Sequence, residues 1–185
     1  SAPALTEYAE RIETAAGDLM HKSETAKELL DISLQQSDGT EPVDLGGRLE
    51  AIGASLAERN PDADIHVIVD GPAVVEGDSR LDALFAQLLE NAIEHSDRAV
   101  PRVEVTVRER ERNVRVEIAD NGPGIPSEEW SVAVEEGEAD STQLRHGSGV
   151  GLLLATWVVD DYGGRLEYDD EGEDGAVVAV ELPCR

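Results

Sequence analysis

The sequence predicts an α/β fold, a two-layer sandwich in which helices cover one face of a sheet, preceded by a long N-terminal helix. Three observations carry this. Residues 102–110 and 113–119 alternate apolar and polar side chains as Val103/Val105/Val107 and Val114/Val116/Ile118. This is the period of a sheet with one buried and one wet face. Leu81, Leu84, Phe85, Leu88, Leu89 and Ala92 recur at threes and fours, the stripe of a helix packed on that sheet. Further strand-like and helix-like segments follow one another along the chain, which makes helices on one face of a mixed or antiparallel sheet the economical architecture.

Taken in order, Leu5, Tyr8, Ile12, Ala15, Leu19, Ala26 and Leu29 put one apolar stripe on a helix near 4–36. That stripe suits packing on its own domain and docking to a partner helix equally well. Ser37-Asp38-Gly39-Thr40-Glu41-Pro42 breaks it, dividing an N-terminal unit, 1–38, from a second, 42–185. A helix is expected from Asp44, as N-cap, to Glu58. Residues 64–70 form a strand, and a short extended piece surrounds Val74. Asp78 caps the helix that runs to His95. Glu111-Arg112 joins the two alternating strands tightly. A short helix spans 126–134, and a stretch rich in Glu, Gly, Asp, Ser and Thr reaches about His146, too long for a mere connector and suited to a lid. A helix over 148–162, the turn Gly163-Gly164 and a hairpin of 165–170 and 175–182 complete the chain. There are no internal repeats.

The 185 residues carry 41 Asp and Glu against 15 Lys and Arg, a formal net charge of −26. Only Lys22 and Lys27 among the cations are lysines. Such a field repels phosphate backbones, so nucleic acid is excluded as a partner. The acids are spread through periodic segments rather than gathered in a disordered tail. A folded, evenly acidic, lysine-poor chain points to adaptation to high salt. The single cysteine, Cys184, cannot form an intrachain disulfide and fits a reducing, cytoplasmic interior. No apolar run approaches the roughly 20 residues of a membrane helix, so any membrane link is expected only through segments outside this chain.

Three clusters carry chemistry. In Gln87-Leu88-Leu89-Glu90-Asn91-Ala92-Ile93-Glu94-His95-Ser96, residues Gln87, Asn91 and His95 share one helix face. A carboxamide oxygen is a hard, neutral ligand suited to Mg²⁺, although a lone helical Asn is commonly just a surface residue. Asp120-Asn121-Gly122-Pro123-Gly124-Ile125 follows a buried strand. It can aim a carboxylate into a pocket, or simply end the strand in a turn. His146-Gly147-Ser148-Gly149-Val150-Gly151-Leu152 runs into a helix, where backbone N–H groups and the helix dipole favour an anion. Its spacing is not that of the dinucleotide fingerprint. Both lysines precede all three clusters, which rules out a P-loop and the strand lysine of eukaryotic-type kinases.

In this order and spacing the clusters resemble the N, G1 and G2 boxes of the gyrase, histidine kinase and MutL ATPase superfamily over roughly 42–183. The wording is similar to the histidine-kinase branch, in particular its haloarchaeal members. The resemblance implies a Bergerat-type ATP-binding fold and an ATP:protein-histidine phosphotransferase. Asn91 would coordinate Mg²⁺, helped by Gln87, and His95 would lie near the ribose. Asp120 would accept the adenine amino group, beside Gly122, with Gly124 allowing close approach to the base. Gly147, Gly149 and Gly151 would present amides to the phosphates, with Ser148 and Arg145 assisting. Ile125, Val150 and Leu152 would pack near the adenine.

Two departures stand out. Glu94 occupies a place where kinases often have Lys or Arg, and His95 one where they often have another aromatic; either is equally well read as an exposed helix-end residue. His21 lacks the acidic and proline context of a phosphoacceptor, so the 4–36 helix resembles the second helix of a dimerisation hairpin whose acceptor helix lies outside this chain. A homodimer through this region and a response regulator are the implied partners. Two other readings remain: a non-catalytic nucleotide-binding regulatory module, and a gyrase-type hydrolase, for which Gln87 is a poor general base.

The charge balance carries a direct test. At molar salt the Debye length falls to about 3 Å, screening the self-repulsion. Circular dichroism should show the fold weakening between about 3 M and 0.1 M KCl; an unchanged spectrum would contradict salt adaptation.

Overall fold

Strict alternation becomes a five-stranded sheet because each valine row has helices to bury it. The computed structural model describes residues 39–131, 149–170 and 175–184. The expected 4–36 helix, the 1–38 unit and the whole lid stretch lie outside the described residues.

The elements are β1 (Glu41–Asp44), α1 (Leu45–Arg59), β2 (Asp64–Asp70), β3 (Val74–Gly77), α2 (Arg80–Glu94), β4 (Arg102–Glu109), β5 (Asn113–Asp120), α3 (Ser127–Trp130), α4 (Gly149–Asp161), β6 (Arg165–Asp170) and β7 (Ala176–Pro183). The main sheet has the order β2-β4-β5-β7-β6. Its first pair, β2 and β4, is parallel and the others are antiparallel, so the sheet is mixed. Helices α1, α2 and α4 pack on one face. Val103, Val105, Val107, Val114, Val116 and Ile118 meet Leu84, Phe85, Leu88, Leu154 and Val158 there, all buried in one core. The predicted two-layer α/β sandwich is thus the fold observed. Among the described residues no helix is long and apolar enough to cross a membrane.

The opposite face is wet and charged. Arg115 donates to Glu117, Glu167 and Glu181 at 2.8, 2.7 and 2.9 Å, tying β5, β6 and β7 together. Its guanidinium is held even more firmly protonated than usual, first by Glu167 and then by Glu117. Arg108 adds contacts to Asp70 and Glu117, and beneath this cover Thr106 is buried.

Local differences from the sequence reading have physical causes. Glu41 and Pro42 read as the end of a breaker and Asp44 as a helix N-cap, but Glu41–Asp44 pairs antiparallel with Val74–Gly77, Val43 facing Val75, as a small second sheet. Four residues are too few for periodicity to reveal them. Asp44 makes no side-chain capping bond. Asp78 does serve the start of α2: its Oδ1 accepts the Arg80 N–H at 2.9 Å and the Tyr162 hydroxyl at 2.7 Å. Arg80 also pairs with Asp161 at 2.5 Å and stacks 5.0 Å from the Tyr162 ring centre. This knot joins the beginning of α2 to the end of α4. There Gly164 N–H bonds Val159 O and Gly163 N–H bonds Asp160 O, a Schellman closure with Gly163 at φ +67°.

Burial pushes the Asp78 carboxyl up, but hydrogen bonds from Arg80 and Tyr162 outweigh it and leave it below the ordinary aspartate value. Burial, together with donation to Asp78, pushes the Tyr162 hydroxyl up to about 12. A carboxyl lowered in the fold stabilises it above its unfolded value of about 3.9, and that stabilisation disappears as pH falls through the folded value. Asp78→Asn should therefore lower the urea midpoint at pH 7, with the gap to wild type closing below about pH 4.

Candidate functional site

Between α2, the end of β5 and the start of α4 lies a cavity of about 240 Å³. Leu88, Asn91, Ala92 and His95 line it from one side, Asp120, Pro123, Gly124, Ile125 and Pro126 from another, and Leu152 and Val178 close it. Two of the three sequence clusters thus meet directly, and the third contributes Leu152.

Helix geometry explains the first wall. Leu88, Asn91, Ala92 and His95 sit three or four apart, so they form one stripe along α2. His95 ends the helix, its N–H bonding Asn91 O. Gln87, on the same helix but only 5% exposed, does not line the cavity. Its amide nitrogen donates to Asn91 Oδ1 at 3.0 Å, fixing the Asn91 carboxamide from behind. Gly151 presses on Gln87 in turn. A Cβ at Gly151 would lie 2.9 Å from Gln87 Nε2 and 3.0 Å from its Cδ, closer than packed atoms allow.

The second wall begins where β5 ends. Asp120 is partly buried, and its Oδ1 accepts the Gly122 N–H at 2.8 Å. Burial pushes its carboxyl above the ordinary aspartate value, against the pull of that hydrogen bond. Asn121 anchors the turn: its Oδ1 accepts the Arg102 N–H at 2.9 Å, its Nδ2 donates to Val100 O at 3.1 Å, and Arg98 Nε donates to Asn121 O at 2.9 Å. Gly124 has φ +80°, a conformation β-carbon residues rarely adopt, and it swings the chain along the cavity between two prolines. Ile125 N–H then donates to the Tyr168 hydroxyl at 2.7 Å.

Of the residues singled out from sequence, the structure brings Asn91, His95, Asp120, Gly124, Ile125 and Leu152 together around one cavity. Gln87, Gly122 and Gly151 stand behind the lining. Arg145, Gly147 and Ser148 lie outside the described residues. Gly149 and Val150 belong to the first turn of α4. Leu88 and Ala92 read as core from periodicity and prove to be lining; their spacing from Asn91 could have identified them. Val178 and Tyr168 carried no such signal, because they arrive from the far hairpin.

Groups of this kind can hold a flat, partly apolar ligand whose amino group donates to Asp120, and a cation at the Asn91 oxygen. Among the described residues no group of three or more His, Cys, Asp or Glu could cage a metal. A hard cation here would take its remaining ligands from water or from the bound molecule.

Gly151→Ala tests the support behind the wall. It should cost about 1–3 kcal/mol by overpacking, read by denaturation in high salt, and should displace the Asn91 amide signals in a ¹⁵N NMR spectrum.

Known proteins share this fold. The sequence model of the histidine kinase-, DNA gyrase B- and HSP90-like ATPase family matches residues 76–185. The signal transduction histidine-protein kinase BaeS of Escherichia coli (strain K12) is 28% identical over 148 residues, covering 77% of this chain and 32% of that protein. The structure of the mycobacterial sensor histidine kinase MprB is 30% identical with a TM-score of 0.64, covering 79% of this chain and 98% of that one. The fold is also that of histidine kinase ThkA in complex with response regulator protein TrrA, with a TM-score of 0.70, 21% identity, and coverage of 92% of this chain and 49% of that one. The chain spans about a third of the length of curated relatives such as BaeS.

Proposed function

This chain belongs to the histidine kinase-, DNA gyrase B- and HSP90-like ATPase family, within its sensor histidine kinase branch, and on that premise we propose that it binds ATP and Mg²⁺ to phosphorylate a histidine supplied from outside the chain. The observation that carries the reading is the meeting of Asn91 and Asp120 at one cavity. Residues 42–185 form the catalytic unit. Residues 1–38 contribute the second helix of a dimerisation hairpin through which two copies pair, and a response regulator receives the phosphate, as ThkA's association with TrrA suggests. The setting is a high-salt cytoplasm, supported by the net charge of −26.

Asp120 accepts the adenine amino hydrogens, and Leu88, Ala92, Ile125, Leu152 and Val178 sandwich the base. The cavity's volume, near the small end for ligand pockets, suits a base, with the phosphates extending toward the start of α4. On this reading Gly147, Gly149 and Gly151 would present main-chain N–H groups to the phosphates, with Ser148 and Arg145 assisting. The Asn91 oxygen has two lone pairs; Gln87 occupies one and leaves the other for a cation. Mg²⁺ would supply charge neutralisation on the phosphates. His95 borders the ribose. The chain's own work is orientation and electrostatic stabilisation of an in-line transfer.

A second reading, a regulatory nucleotide-binding module, is favoured by Glu94. It is exposed at the end of α2, where kinases of this branch often have a cation. Supplying a phosphoacceptor hairpin with γ-labelled ATP distinguishes the two. Acid-labile, base-stable phosphate supports the kinase; tight nucleotide binding without transfer supports the module.

Guanine would present an oxygen to Asp120, losing a bond of about 1.5–3 kcal/mol. Calorimetry in high KCl should therefore find ATP preferred over GTP by roughly tenfold or more, and equal affinities would refute the adenine role. Asp120→Ala and Asn91→Ala should each weaken Mg-ATP binding, the second chiefly in its Mg²⁺ dependence.

A further inference from the structure

We propose that Tyr168 is a positioning residue for base binding, its phenolic oxygen fixing the 123–126 segment as one wall of the cavity. This rests on the adenine reading above and adds a residue that touches no ligand. Tyr168 is absent from the lining and acts through Ile125, whose N–H it accepts at 2.7 Å.

The wall segment has little means of holding itself. Pro123 and Pro126 have no N–H to donate, and Gly124, at φ +80°, contributes no side chain. Upstream, Gly122 N–H is taken by Asp120 and Asn121 N–H by Arg102 O. Past the glycine turn, the Ile125 N–H reaches 43 residues along the chain to Tyr168. The hydroxyl is itself well fixed. Tyr168 pairs with Val178 across β6 and β7, and Val178 lines the same cavity. Its ring lies against Trp130, with centroids 5.1 Å apart and planes 33° from parallel. Trp130 N–H in turn bonds Pro126 O, the far end of the wall. Ile125 is thus held by an edge strand, and Tyr168 and Trp130 grip the segment from Ile125 to Pro126.

Tyr168→Phe deletes one oxygen and keeps the ring stack. The Ile125 N–H loses its acceptor, and the wall loosens where the base sits, leaving the phosphate end unaffected. Calorimetry on the full chain in high KCl, with adenosine, ATP and tripolyphosphate as separate probes, reads the difference. Adenosine and ATP should bind roughly threefold to tenfold more weakly in Tyr168→Phe, by the same factor, with tripolyphosphate unchanged. Adenosine affinity equal to wild type would overturn the proposal, and so would a proportional loss for tripolyphosphate, the mark of general destabilisation. Wild-type chain that binds neither adenosine nor ATP would sink the adenine reading and this inference with it. Wild-type binding that is unaltered in the variant would sink this inference alone. If Tyr168→Phe does not fold, amide exchange in the wild-type chain decides: protection of Ile125 comparable to the β5 amides supports the role, and exchange at the rate of a free peptide overturns it.

Discussion

A half-buried amide pair on α2, packed at its inner end against α4, is the constraint on which the site depends. Gln87 lies in the seam where α2 meets α4, almost wholly removed from water, and a buried carboxamide must find hydrogen-bond partners. It finds Asn91 one turn on, and the space it needs exists only because position 151 has no side chain. The orientation of the Asn91 carboxamide, the packing distance of α4 and the identity of Gly151 are therefore one fact seen from three sides. At the other end of the same helix pair, the joint is electrostatic: Asp78 gathers the start of α2, Arg80 and the Tyr162 hydroxyl, while Arg80 reaches Asp161. The cavity is framed by two helices pinned at both ends by different physics, tight packing near the site and charged hydrogen bonds away from it.

The acidic composition is organised along the same division. The helix-covered face of the sheet is valine and leucine. On the uncovered face, one guanidinium serves three carboxylates from three strands. Surface ion pairs contribute little singly, but a network that shares a held arginine spends less side-chain freedom per pair. In a chain of net charge −26 it also keeps neighbouring carboxylates from facing each other uncompensated. The same acidity would oppose an anionic nucleotide, so on the proposed function its binding would rest on local main-chain donors and a cation.

Family membership and local geometry sharpen each other here. The matched region, 76–185, contains both walls of the cavity. Of the two residues that depart from the kinase pattern, Glu94 is exposed at the end of α2 and His95 lines the cavity.

Much of this was legible in the residues themselves. Strand and helix periods are set by neighbours two to four positions apart, so the valine rows of β4 and β5 and the stripe of α2 could be read directly, as could the three polar clusters and their order. The small β1–β3 sheet could not, being shorter than any period, nor could the parallel pairing of β2 with β4, since alternation is the same in either direction. The tertiary structure alone decided that Gln87 braces Asn91 instead of facing the cavity, that Asn121 stitches its turn to the 98–102 segment, and that a tyrosine from the last hairpin holds Ile125. The contacts of Asn121 and Tyr168 join residues 19 to 43 positions apart, and the burial of Gln87 depends on Gly151 in another helix. They follow from how the layers close, and closure leaves no spacing in the chain by which it could be foreseen.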